Sequence, residues 1–179
     1  GILLIAKKRS ALKNLQDQFR ERETGKTYLA LALGQWPSNK RVLDKSLHKY
    51  LLPNGERRVK VVAKDDPDAM PSLTLVKVNA TSALAAPVGP ALLAATGDRG
   101  VSLLEVTIKT GRTHQIRVHL ASEGMPIAGD DKYGDFDCNK LLARADQAVP
   151  LKRMFLHAWR FQCKHPLTGK RMDLQAELP

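Results

Sequence analysis

The sequence predicts an α+β fold, a mostly antiparallel mixed sheet flanked by a few helices. Seven stretches have the alternating or β-branched apolar character of strands, whereas helical spacing is confined to a few separate places. With 179 residues and a 43% hydrophobic fraction, the chain can bury one core of its own. It has no internal repeat and no low-complexity tract, so residues 1–179 read as one domain.

In order, Gly1 to Ala6 reads as a buried strand. Ser10 can cap a helix running to about Glu23, with Leu12, Leu15 and Phe19 as its buried stripe and Gly25 as its stop. Lys26 to Gly34 alternates as a strand, Leu29, Leu31 and Leu33 on one face and Tyr28, Ala30 and Ala32 on the other. A tyrosine beside two alanines suits a cleft wall; a core tyrosine under a helix fits the same spacing. Residues 35–57 read as a basic loop with turns at Trp36-Pro37-Ser38-Asn39 and Pro53-Asn54-Gly55. Arg58 to Ala63 and Leu73 to Val78 read as strands, and Asn79 to Gly100 as an inserted loop with a short helical turn near Leu92. Val101 to Lys109 is a strand, Pro126 to Gly134 a turn-rich loop, and Asn139 to Asp146 a weak helix. Met154 to Cys163 is a strand with Phe155, His157, Trp159 and Phe161 on one face. The turn at His165-Pro166-Leu167-Thr168-Gly169 leads to a last strand, Arg171 to Ala176.

Charge is distributed unevenly. Residues 1–64 hold 15 Lys and Arg against 5 Asp and Glu, while the remainder holds 14 against 13, so nearly all of the net +11 lies in the first third. A basic region so localised suggests a polyanionic partner, most often nucleic acid, with a solubilising surface as the plainer alternative. No apolar run is long enough to span a bilayer and no signal-peptide pattern is visible, so no membrane association is expected. Cys138 and Cys163 lack metal-ligand spacing and the look of a disulfide framework, so a reducing, cytoplasmic setting is expected.

The densest chemistry lies in Thr110-Gly111-Arg112-Thr113-His114-Gln115-Ile116-Arg117-Val118-His119-Leu120, between the strand at Val101 and a helix stop at Gly124. At a helix N-terminus the amides are free and the dipole is positive, so Arg112 and Thr113 there would form a phosphate cradle. Helical spacing puts His114, Arg117 and Ala121 on one face and Ile116 with Leu120 on another. Arg117 then either points into a cleft or forms a structural ion pair. No His-Glu-x-x-His, paired-Cys, Gly-x-Ser-x-Gly or phosphate-binding Gly-rich motif is present, so neither metal nor cofactor is expected.

The run Gly111-Arg112-Thr113-His114-Gln115-Ile116-Arg117-Val118-His119, followed by Gly124-x-Pro126-Ile127-x-Gly129-Asp130-x-x-Tyr133-Gly134, resembles the signature of the RluA family of RNA pseudouridine synthases. Leu156-His157-Ala158 with His165-Pro166 resembles a later motif of that family, and Lys26-Thr27-Tyr28-Leu29-Ala30 its tyrosine motif. Trp36 and the run from Lys7 to Leu12 resemble most the RluC branch, which acts on large-subunit ribosomal RNA.

The resemblance implies a synthase catalytic domain with its cleft across the sheet. It implies an isomerase that breaks the C1′–N1 bond of a uridine and rejoins the base through C5, without cofactor. Carried over by motif, Tyr28 is the ring against the uracil, Arg117 pairs with the catalytic aspartate, and Ile116 and Leu156 line the pocket. Arg112, His114, Gln115 and Lys26 are the remaining expected substrate contacts, and RNA the expected partner of a monomeric protein. The family's aspartate lies in a His-Arg-Leu-Asp-x-x-Thr-Ser-Gly segment whose last glycine matches Gly1, so the nucleophile is expected five residues upstream of this sequence. An S4-like domain is expected further upstream where the family has one, and residues 1–179 alone are expected to be inactive. Arg41-Val42-Leu43-Asp44 imitates that segment in the wrong surroundings, and Asp130 and Asp131 read as structural. Ala69-Met70 stands where the family has Gly-Lys, and the 79–100 segment is longer than usual. The rival reading is a non-catalytic RNA-binding or ribosome-assembly module on the same scaffold.

Overall fold

In the computed structural model, residues 1–82, 99–144 and 150–179 are described. Along the chain they form helix α1 (Arg9–Arg20), strands β1 (Gly25–Leu33), β2 (Val42–Asp44), β3 (Ser46–Leu51), β4 (Arg57–Val62), β5 (Leu73–Ser82) and β6 (Val101–Ile108), helices α2 (Gln115–Ser122) and α3 (Phe136–Leu142), and strands β7 (Leu156–Lys164) and β8 (Arg171–Gln175). Six strands make one sheet in the order β2-β5-β6-β1-β7-β8, and β3 and β4 pair apart from it as a hairpin. The α+β expectation holds. Every strand pairing described is antiparallel, so the expected mixed character is absent among the described residues.

β1 lies at the centre of the sheet and its two-residue alternation sorts the molecule into two faces. Tyr28, Ala30 and Ala32 sit over Val106, Leu104 and Ser102 of β6. The alanines leave room for α2 and the loop after it to approach, and Ile116, Leu120 and Ile127 join Ala30, Ala32, Leu104 and Val106 in the main core. Each isoleucine, leucine or valine among them, fully buried, contributes about 1.5–3 kcal/mol. On the opposite face Leu33 packs with Ala128 and Cys138, so α3 covers the other side of β1. The hairpin closes on α2 from behind, where Leu47 and Val59 bury Val118. α2 is thus apolar on two sides, which explains why its amphipathic pattern is weak.

Several expectations are corrected. Residues 1–6 form no strand; the Ile2 amide donates to the Ala158 carbonyl (2.9 Å), but Leu3 and Ile5 are about four-fifths exposed. α1 does not bury the predicted stripe, since Leu12 and Phe19 are exposed and the buried residue is Gln18. Its amide donates to the Lys164 carbonyl (2.9 Å) and accepts from the Lys164 amide (2.8 Å), fastening α1 to β7 as a neighbouring strand would. Residues 42–51, read as loop because charge masks their alternation, form β2 and β3. The strand read at Leu73 to Val78 continues to Ser82, and the turn expected near Leu92 lies outside the described residues. The helix expected at 139–146 begins earlier, where the Asp135 carboxylate accepts from the Cys138 amide. A register shift against β1 skips Trp159, so Phe161 faces with Lys26 and His157 with Leu29; Phe155 precedes β7, and the expected single aromatic face does not form.

Candidate active site

The turn between β6 and α2 does not build the expected phosphate cradle. α2 begins at Gln115, its N-cap His114 has φ 53°, and the side chain of His114 makes no capping bond. The free-amide role passes instead to Gln115, which is 2% exposed. Its Oε1 accepts from the Thr110 hydroxyl (2.8 Å) and the Arg112 amide (3.0 Å), and its Nε2 donates to the Leu73 carbonyl (3.0 Å) and to Thr74 Oγ1 (2.9 Å). Gln115 therefore pins the turn to β5 and has no capacity left for substrate, which overturns its expected role. The Arg112 amide is committed, and its Nε donates to the Pro71 carbonyl (3.2 Å), leaving the rest of the guanidinium outward.

Arg117 projects from the next turn of α2 into a nearly closed polar cluster. Its Nε and Nη2 donate to the two carboxylate oxygens of Asp130 (2.8 and 2.7 Å), and Nη2 also reaches Asp131 (3.0 Å). Asp130 is 1% exposed and also accepts from the amides of Lys132 (2.8 Å) and Tyr133 (2.9 Å). Burial pushes this carboxyl up, but the Arg117 fork and the two amides outweigh it and hold it below its ordinary value. The loop is shaped to deliver it: Gly129 has φ 78°, and a Cβ on Gly134 would stand 2.2 Å from the Asp130 carbonyl oxygen. Tyr133 completes the cluster, its ring under Arg117 (5.1 Å) and Arg58 (5.6 Å) and its hydroxyl between His114 Nδ1 (2.8 Å) and the Val59 amide (2.9 Å). Burial, then Arg117 and Lys132, push the His114 imidazole below its ordinary value, so it stays neutral near pH 7.

The open site lies at the other end of β1. A cavity of about 560 Å³ is lined by Tyr28 and Ile108, by Phe19 and Arg22 from the end of α1, and by Lys26 and Arg112 among others. A smaller groove of about 280 Å³ shares Phe19, Lys26 and Tyr28 and runs on to Ile2, Ala158 and Arg160. Half-burial pushes the Lys26 ammonium below its ordinary value and the Tyr28 phenol above its own, and Lys26 rests over the Phe19 ring (5.5 Å). The arrangement is an aromatic floor walled by cations, suited to a flat, polar, anion-bearing ligand.

Of the residues expected from sequence, Lys26, Tyr28 and Arg112 therefore come together around one cavity. Ile116, at 5% exposure, is a core residue, and Leu156 packs against the same core; neither lines the cavity. His114, Gln115 and Arg117 belong to the polar framework beside it. Asp130 is buried against Arg117, whereas Asp44 lies away from the cavity and pairs with Lys64 on the surface (2.6 Å). Sequence reasoning passed over Arg20, Arg22 and Lys109, which also line the cavity, because no motif marks a helix end or a strand end. It foresaw no metal site, yet the donor atoms of His48, Asp66 and Asp68 lie within 4.8 Å of one another. These residues, at the base of the hairpin, do not line the cavity.

Fold and cavity together define an α+β domain whose open cavity has a tyrosine floor and a basic wall. Residues 1–122 match the family of RNA pseudouridylate synthases, and the chain belongs to that family. It is 42% identical to the ribosomal large subunit pseudouridine synthase C of Haemophilus influenzae over 99% of its length and 48% of that protein. It is 40% identical to the protein of the same name from Escherichia coli, again over 99% of this chain and 49% of the relative. The chain thus spans about half the length of these curated relatives. Among solved structures, human RNA pseudouridylate synthase domain containing 1 superposes with a TM-score of 0.71 at 24% identity, covering 97% of this chain and 62% of that one. Human RNA pseudouridylate synthase domain containing 4 gives 0.63 at 21%, covering 96% and 64%. At those identities the likeness is one of fold. No helix among the described residues is long and apolar enough to cross a membrane.

Proposed function

We propose that the protein to which this chain belongs converts uridines of large-subunit ribosomal RNA to pseudouridine. The observation that carries this reading is Tyr28 on the floor of a cation-walled cavity, in a chain 42% identical to a large-subunit synthase. A uridine must leave its stack to be isomerised, and an aromatic floor offsets part of that loss by about 1–3 kcal/mol per base. Lys26 and Arg112 neutralise the flanking backbone. The nucleophile is a carboxylate contributed from upstream of Gly1, and Arg117 is its partner. In this role Asp130 orients the guanidinium in advance, so the incoming carboxylate meets a cation whose plane is already set. The protein acts as a monomer in the cytoplasm, with neither metal nor cofactor in the step.

The test is tritium release from C5-labelled large-subunit RNA with the full-length protein. Release proportional to enzyme and time is expected, and no release from any large-subunit fragment overturns the reading in favour of a binding module. Arg117→Lys, which keeps the charge but loses the fork, should cut turnover more than tenfold while leaving RNA affinity within about twofold. Tyr28→Ala should lower both.

A further inference from the structure

The end of α1 is built in a way that its own stability does not explain. The Glu23 amide donates to the Gln18 carbonyl (2.9 Å) and the Arg22 amide to the Phe19 carbonyl (3.3 Å). These are the paired closing bonds of a Schellman turn, with Glu21 as the cap and Arg22 as the residue after it. Arg22 accordingly has φ 59°, a conformation that disfavours any residue with a Cβ and is filled most often by glycine at this position. Only one other non-glycine residue among those described, His114, has a positive φ.

What the turn gives the arginine is a place at the cavity. Arg22 lines the 560 Å³ cavity from the end of α1, Tyr28 lines it from β1, and Lys109 and Arg112 line it from the end of β6 and the turn that follows. Among the described residues, Arg22, Lys26, Lys109 and Arg112 have no carboxylate within ion-pair distance, and no acidic side chain lines the cavity. Four cations unpaired around one aromatic floor form a site for a multiply charged anion.

We propose that Arg22 is an RNA backbone contact, gripping a phosphate on the α1 wall of the cleft while Lys109 and Arg112 take the phosphates of the other wall. The assignment rests on the reading of the cavity as an RNA site. The simpler role for a cation here is to complement the helix dipole, which predicts loss of stability without it. Arg22→Gly separates the two, because glycine relieves the backbone strain and removes the charge together.

The experiment uses the full-length protein and transcribed large-subunit ribosomal RNA, with affinity measured across a salt series and thermal unfolding measured in parallel. For Arg22→Gly the unfolding midpoint should be unchanged or raised by about 2–4 °C. Affinity near 0.1 M salt should fall several-fold, and the slope of log affinity against log salt should shrink by about 0.7–0.9, the signature of one lost phosphate contact. Arg22→Lys should keep the slope. An unchanged affinity and slope in Arg22→Gly overturns the proposal, and so does a lowered midpoint, which returns Arg22 to a structural role. Failure of the wild-type protein to bind this RNA overturns the RNA reading of the cavity itself.

Discussion

α1 and α2 both approach the face of the sheet that carries Tyr28, and they are held there by opposite means. α2 is enclosed: Ile116 and Leu120 face the sheet, Val118 faces the hairpin, Gln115 has its hydrogen bonds met inside the protein, and Arg117 is forked onto Asp130. α1 is tethered by the Gln18 amide and by Phe19 against Phe161 (5.7 Å), with Leu12 and much of Phe19 in solvent and no apolar residue fully buried. The difference separates two uses of cationic side chains. Where an arginine is paired and nearly buried, as Arg117 is with Asp130, its guanidinium is held in one plane by the fold; the cations around Tyr28 are left without carboxylates.

Breaking the enclosed side should have the largest effect. Asp130→Ala leaves the Arg117 guanidinium, 11% exposed, without its bidentate partner and should cost about 3–5 kcal/mol in urea unfolding. A loss under 1 kcal/mol would show that the pair does not hold the loop. Gln115→Leu removes four hydrogen bonds at once, leaving the Arg112 amide without its acceptor, and should cost about 2–3 kcal/mol by the same measurement. The same side should respond to acid. The Asp130 carboxyl is held below its unfolded value, so its contribution is fully present above about pH 4 and is lost as pH falls through the depressed folded value. The stability gap between the native protein and Asp130→Asn should therefore be constant from neutral pH down to about pH 5 and narrow below pH 4. Leu12→Ala on α1 should change stability by no more than about 0.5 kcal/mol, because that side chain is already 47% exposed. A cost above 2 kcal/mol would mean that α1 is packed as α2 is.

Legibility in the sequence followed the same division. β1 could be read to within a residue, with both of its faces, because strict alternation of leucine against tyrosine and alanine leaves one way to place it in a two-sided sheet. Tyr28, Lys26 and Arg112 could be picked out together, since each stands at a strand or turn position where a motif fixes its neighbours, and the structure brings all three around one cavity. Gln115 was misassigned because a polar residue in a dense motif reads as a ligand contact, and nothing local reveals that Leu73 and Thr74, some forty residues away, use up its amide. β3 was missed for a related reason: Lys49 and Tyr50 hide its alternation, and its pairing with β4 is what makes it a strand.

The sequence by itself determined the α+β class, through the periodicity of its strands, and the family, through motifs of residues close along the chain; it left Tyr28 open between a cleft wall and a core position. Only the tertiary structure decided which polar groups are already satisfied. A hydrogen bond or ion pair between distant segments exists once the chain has closed on itself, and that pairing turned Gln115 and Arg117 inward while it left Arg22, Lys26 and Arg112 facing the cavity.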